Sequence, residues 1–150
     1  MRREPTADDG VRSGPAALAP GATYDQVRTV REEMLATHLG SGTVGVLATP
    51  AMVGMMEGAS MRCVQPFLEE GQTTVGFIVN IRHLAPTGLG QEVSVRSTVK
   101  AVEGKRITFT VECREGDKKI GDGEHVRAII ESSSFLEQTR GGATDGRDGR

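Results

Sequence analysis

The chain has 150 residues, enough for one domain with a sizeable core, but only 3% of them are aromatic and none is Trp, so that core is built from Val, Ile, Leu, Met and Ala. A formal net charge of −2 excludes a sequence-independent grip on nucleic acid, which needs a basic surface. No apolar run approaches the roughly 18 residues that span a bilayer.

From the N-terminus, Met1-Arg2-Arg3-Glu4-Pro5 leads into no apolar signal segment, so a cytoplasmic protein is expected. Residues 1–20 mix Pro, Gly, Ala and charge without periodicity and read as a flexible arm ahead of a domain spanning 21–135. Residues 22–31, with Tyr24, Val27 and Val30, fit either a strand or an irregular lead-in, and the Gly-rich stretch 39–47 reads as a loop. Thr49-Pro50 looks like a helix start, Thr as N-cap and Pro at the first helical position. The helix runs toward Pro66, and Gly54 and Gly58 imply that something packs closely against their face.

After Glu70-Gly71 the period changes to two. Val75, Phe77, Val79 and Ile81 share one face of a strand, followed by Val93, Val95, Val99 and Ala101 on a second. Glu103-Gly104-Lys105 turns the chain into Ile107, Phe109, Val111 and Cys113, and Glu115-Gly116-Asp117 turns it again into a last strand carrying Val126, Ala128 and Ile130. Residues 136–150 alternate Gly with charge and read as a disordered tail. One long helix and a meander of strands give an α+β domain: a curved antiparallel sheet wrapped around one central helix, the hot-dog arrangement, with apolar surface left for a dimer to bury.

Two polar residues stand on apolar faces. At 100° per residue Val53, Met56, Ser60, Cys63, Val64 and Phe67 form one helical stripe, with Glu57 at its edge. A carboxylate there is either a marginal residue reaching solvent or a paired functional group. His83 continues the parity of Val75 to Ile81, and a lone His in such a place is either a satisfied structural residue or a proton carrier. Together, a carboxylate and an imidazole aimed at one helix–sheet seam are equipment for activating water or attacking a carbonyl. Thr49 is sufficiently explained as a cap. If the helix starts at Pro50, eight residues of rise, roughly 12 Å at 1.5 Å per residue, separate it from Glu57, so either the helix begins later or Thr49 acts on a different part of the substrate or from a partner subunit. His38 and His125 are isolated, and the thiols of Cys63 and Cys113 form no paired motif, so neither a metal site nor a disulfide framework is expected.

The run Ala48-Thr49-Pro50-Ala51-Met52-Val53-Gly54-Met55-Met56-Glu57 is similar to the helix start of the fluoroacetyl-CoA thioesterase family, in which a Thr precedes a Met-Val-Gly-Leu-Met-Glu run. Thr74-Val75-Gly76-Phe77, His83-Leu84-Ala85-Pro86-Thr87-Gly88, Val102-Glu103-Gly104-Lys105-Arg106 and Gly121-Asp122-Gly123-Glu124-His125-Val126-Arg127-Ala128 resemble its later strands, so the likeness covers 47–135. By this resemblance Thr49, Glu57 and His83 form the catalytic trio: Glu57 attacks the thioester or activates water, His83 is acid and base, and Thr49 orients. Gly76 and Arg127 are the implied substrate contacts. The resemblance further implies an acyl-CoA substrate, no cofactor and a homodimer. The fluoroacetyl-specific enzyme carries Phe residues just before its Thr, whereas 39–48 contains no aromatic residue, so a broader or different small-acyl preference is expected. A non-catalytic acyl-CoA binder and a hot-dog hydratase or dehydratase are the competing readings.

Overall fold

The structure, a computed structural model, describes residues 9–145, with side chains described as far as Arg140. Among these residues β1 (Val11–Ser13), β2 (Thr23–Thr29), β3 (Gln72–His83), β4 (Glu92–Glu103), β5 (Arg106–Glu115) and β6 (Lys118–Glu131) form one sheet in the order β1-β2-β4-β5-β6-β3. Every neighbouring pair is antiparallel. The helices are a short α1 (Ala36–Leu39), the central α2 (Thr49–Val64) and a C-terminal α3 (Ser132–Asp145). Gly104 (φ 62°) and Gly116 (φ 60°) make the tight turns at the two hairpins, where a side chain would be strained. No described helix is long and apolar enough to cross a membrane.

Met52, Met55, Met56, Ala59, Cys63 and Val64 of α2 pack against Val93, Val95, Val99, Ile107, Phe109, Val111 and Cys113 of the sheet, the alternating faces that period two marks out. Ser60 lies within this core because both ends of its hydroxyl are used: it donates to the Met56 carbonyl at 2.8 Å and pairs with Ser97 Oγ at 2.8 Å. The buried stripe is centred one residue earlier than the spacing predicts, with Met52 and Met55 in place of Val53. Among the described residues nothing lies within 4 Å of a Cβ built on Gly54, and the nearest group to one built on Gly58 is the flexible guanidinium of Arg62, so the close backbone packing expected from those glycines is not found there.

Three further expectations change. Part of the predicted flexible arm is β1, which pairs with β2 and is tied down where Arg12 Nε donates to the Arg62 carbonyl at 3.0 Å; residues 1–8 of it lie outside the described residues. The predicted tail is helical to Asp145, continuing β6 through α3, whose first N–H, on Ser132, donates to the Gly71 carbonyl at 2.9 Å; residues 146–150 lie outside the described residues. In β3 a bulge falls between Gly76 and Ile78 and reverses the alternation of side chains. Thr74 and Gly76, not Val75 and Phe77, therefore face α2, and Phe77 lies outside beneath the Arg106 guanidinium, 3.8 Å from the ring centre. β6 likewise turns His125, Arg127 and Ile129 inward in place of Val126, Ala128 and Ile130.

Close strand contact across this edge sets a stability requirement. Gly123, at φ 157°, pairs with Ile81, and a Cβ there would lie 2.2 Å from the Asn80 carbonyl oxygen and 2.7 Å from Ile81 Cα. Both obstacles are backbone and cannot rotate away. Gly123→Ala is expected to cost on the order of 3 kcal/mol or more in urea unfolding, whereas a loss below about 1 kcal/mol would show that β3 and β6 can separate there freely.

Candidate active site

Helix α2 begins at Thr49 itself, with Ala48 as its extended N-cap and no side-chain cap. The Thr49 hydroxyl, released from the capping role the sequence predicts, lies 2.7 Å from His83 Nδ1 at the end of β3. His83 Nε2 is buried without a hydrogen-bond partner among the described residues. Burial holds the imidazole below its ordinary pKa of 6.5, with the Ala85 backbone opposing that shift, so the ring stays neutral at neutral pH and keeps a lone pair for a proton. The pair opens on a cleft of about 670 Å³, walled by Ser41, Gly42, Thr43 and Val44 of the loop after α1 and by Leu84 to Pro86.

Glu57 has a different set of neighbours. Two turns further along α2, its carboxylate faces the bulge of β3: a Cβ added to Gly76 would lie 2.6 Å from Glu57 Oε2. Arg127 Nη1 is 3.9 Å from the same oxygen, with the Arg127 side chain 9% exposed and that of Glu57 40%. Arg127 donates from Nε to Thr74 Oγ1 at 2.7 Å and from Nη2 to the Thr74 carbonyl at 2.8 Å. Burial lowers the guanidinium's pKa and the Glu57 carboxylate opposes it.

The five residues singled out in the sequence thus fall into two groups within one chain, Thr49 with His83 and Glu57 with Gly76 and Arg127. His125, set aside in the sequence as isolated, belongs to the second group, with Nε2 3.1 Å from Arg127 Nη1. Only its spacing of two from Arg127 on one strand could have signalled this. Neither cysteine offers a rival nucleophile, since burial pushes the Cys63 thiol up to about 11 and that of Cys113 up to about 12.

Residues 30–133 match the family model described as FlK, fluoroacetyl-CoA-specific thioesterase. The chain belongs to this family. It is 38% identical over 95 residues, 63% of this chain and 68% of the relative, to a protein of Streptantibioticus cattleyicolor named fluoroacetyl-CoA thioesterase. The solved fluoroacetyl-CoA thioesterase FlK superposes with a TM-score of 0.77 at 30% identity, over 85% of this chain and 97% of that one. A Thermus thermophilus thioesterase-superfamily protein superposes at 0.76 and 31% identity, over 84% and 93%. This FlK-family chain is accordingly a thioesterase of hot-dog fold, and both groups of polar residues lie inside the matched segment.

Proposed function

We propose that this thioesterase hydrolyses small acyl-CoA thioesters with Thr49 as nucleophile and His83 as its base. The 2.7 Å contact between the Thr49 hydroxyl and His83 Nδ1 at the mouth of the cleft carries this reading, because a hydroxyl needs an adjacent base to attack a carbonyl at neutral pH. Thr49 Oγ1 attacks the thioester carbon as its proton passes to His83 Nδ1. The tetrahedral adduct expels the thiolate by breaking the C–S bond, and His83 returns the proton to the departing sulfur. Water then attacks the Thr49 ester, giving up a proton to a carboxylate or imidazole, and the carboxylic acid leaves as Oγ1 is reprotonated. Since Thr49 is the first residue of α2, the oxyanion forms beside the positive end of the helix.

Glu57 completes the site from a second copy of the chain. β3 is an edge strand, and its Phe77, Ile78 and Val79 are 54%, 47% and 49% exposed. Such an edge invites pairing, and two β3 strands joined antiparallel about a two-fold axis bring the His83 end of one against the Gly76 end of the other. The distance along α2 that separates Thr49 from Glu57 in one chain is thereby bridged. Arg127 and Gly76 would then face the acyl group from the side opposite Thr49.

The loop over the cleft offers Ser41, Gly42, Thr43 and Val44 and no aromatic lid, which supports a tolerant acyl pocket. With thiol release as readout, kcat/KM for acetyl-, propionyl- and fluoroacetyl-CoA is expected to agree within about tenfold, a weak discrimination typical of small apolar differences. A preference for the fluorinated substrate of about a hundredfold or more would overturn this specificity.

A further inference from the structure

We infer that His125 is a positioning residue for this site, a neutral imidazole that holds the β3 bulge with one nitrogen and keeps Arg127 turned beside Glu57, not closed onto it, with the other. The inference rests on the proposed thioesterase site and concerns a residue with no contact to the cleft.

His125 is fully buried on β6, stacked on Phe109 with ring centres 6.3 Å apart and planes at 28°. Both ring nitrogens are engaged: Nδ1 lies 2.8 Å from the Ile78 carbonyl and Nε2 lies 3.1 Å from Arg127 Nη1. These partners leave one protonation pattern. A guanidinium only donates, so Nε2 must offer its lone pair; a carbonyl only accepts, so Nδ1 must carry the proton. A doubly protonated ring would set N–H against N–H at Arg127. Burial, with Arg127 alongside, acts in the same direction by disfavouring the charged ring against the smaller pulls of the Ile78 backbone and Glu57.

The two bonds act on different parts of the site. Ile78 is the residue at which β3 resumes its register after the bulge, so the bond to its carbonyl holds Gly76 beside the Glu57 carboxylate. The ring edge itself stands beside Gly76, where a Cβ would lie 3.4 Å from His125 Cε1. The second bond governs Arg127. Thr74 grips the guanidinium at Nε and Nη2, leaving Nη1 between two acceptors, His125 Nε2 at 3.1 Å and Glu57 Oε2 at 3.9 Å. With the histidine acceptor gone, Nη1 has Glu57 as its remaining acceptor here, and a closed ion pair would tie up the carboxylate and fill the space in front of Gly76.

Three substitutions separate the two bonds. The Gln of His125→Gln can place its amide oxygen near Nε2 and accept from Arg127; the Asn of His125→Asn can donate near Nδ1 to Ile78; the Phe of His125→Phe keeps the stacking and does neither. The Gln variant, which gives up only the neutral bond to Ile78, is expected to lose about two- to tenfold in kcat/KM for acetyl-CoA hydrolysis, while Asn, which gives up the bond to the charged Arg127, loses about ten- to hundredfold, mostly in kcat, and Phe, which gives up both, loses the most. Losses that follow the melting temperature across the three, irrespective of acceptor chemistry, would show a merely structural histidine and overturn the inference. Nitrogen-15 NMR of the histidine-labelled wild type, at neutral pH, is expected to find His125 protonated at Nδ1 alone. A charged ring or the other tautomer overturns the inference whatever the kinetics. The expected tautomer in a chain that hydrolyses none of the thioesters would instead remove the proposed function, and the catalytic sense of the contact with it, while the hydrogen-bond pattern stood.

Discussion

Thr49→Val is expected to lower kcat for thioester hydrolysis about a thousandfold or more, the loss that follows removal of a nucleophile or its base. Val keeps the shape of Thr and removes only the hydroxyl. Thr49 is exposed and has no capping bond to lose, so folding stability should change by less than about 1 kcal/mol. His83→Ala should have an effect of the same order, and the double variant should be little worse than either single one, because residues that act as a unit are not additive. The pH profile carries the sign of the environment. Burial keeps the His83 pKa below 6.5, so the neutral, proton-accepting ring persists as the medium turns mildly acidic. The acid limb of kcat/KM should therefore have its midpoint below 6.5 and activity should be full above it. Thr49→Val retaining a tenth or so of wild-type kcat would mean that water, and not this hydroxyl, attacks the thioester.

Much of this arrangement is legible in the amino-acid order, and the illegible parts have physical causes. Turns at Gly104 and Gly116 can be read directly because a tight hairpin needs backbone angles that glycine adopts freely. The inward faces of β4 and β5 can be read because Val95, Val99, Phe109 and Cys113 bury apolar surface at period two. That rule fails in β3 and β6. One extra residue at the bulge reverses everything before it, and Gly76 is the only mark it leaves in the chain. In β6 the inward places are taken by His125 and Arg127, which hydrophobicity assigns to solvent; they are tolerable inside because Thr74, the Ile78 carbonyl and each other satisfy them. No periodicity reports a network whose members come from different strands. Spacing alone puts Glu57 and His83 on one helix–sheet seam, and both border it in the structure, each with partners of its own. Spacing carries the face a residue occupies and not which neighbour it meets.

Glu57→Gln decides whether the two groups of polar residues work together. The amide has nearly the same shape and can still accept from Arg127, so the fold should survive, yet it cannot take a proton from water. A loss of kcat of about a hundredfold or more is expected, and a non-catalytic acyl-CoA binder would show no turnover to lose. The stronger measurement mixes this variant with Thr49→Val after unfolding and refolding them together. If each site takes Thr49 and His83 from one chain and Glu57 from the other, every mixed dimer contains one site carrying both substitutions and one carrying neither. Half of the dimers formed at random are mixed, so about a quarter of wild-type activity should return from two nearly inactive proteins. If Thr49 and Glu57 served the same site from the same chain, each site in a mixed dimer would carry one lesion and nothing would return. Recovery would join the hydroxyl–imidazole pair at the cleft to the carboxylate beside Gly76 across the β3 edge; none would overturn the site shared between two chains.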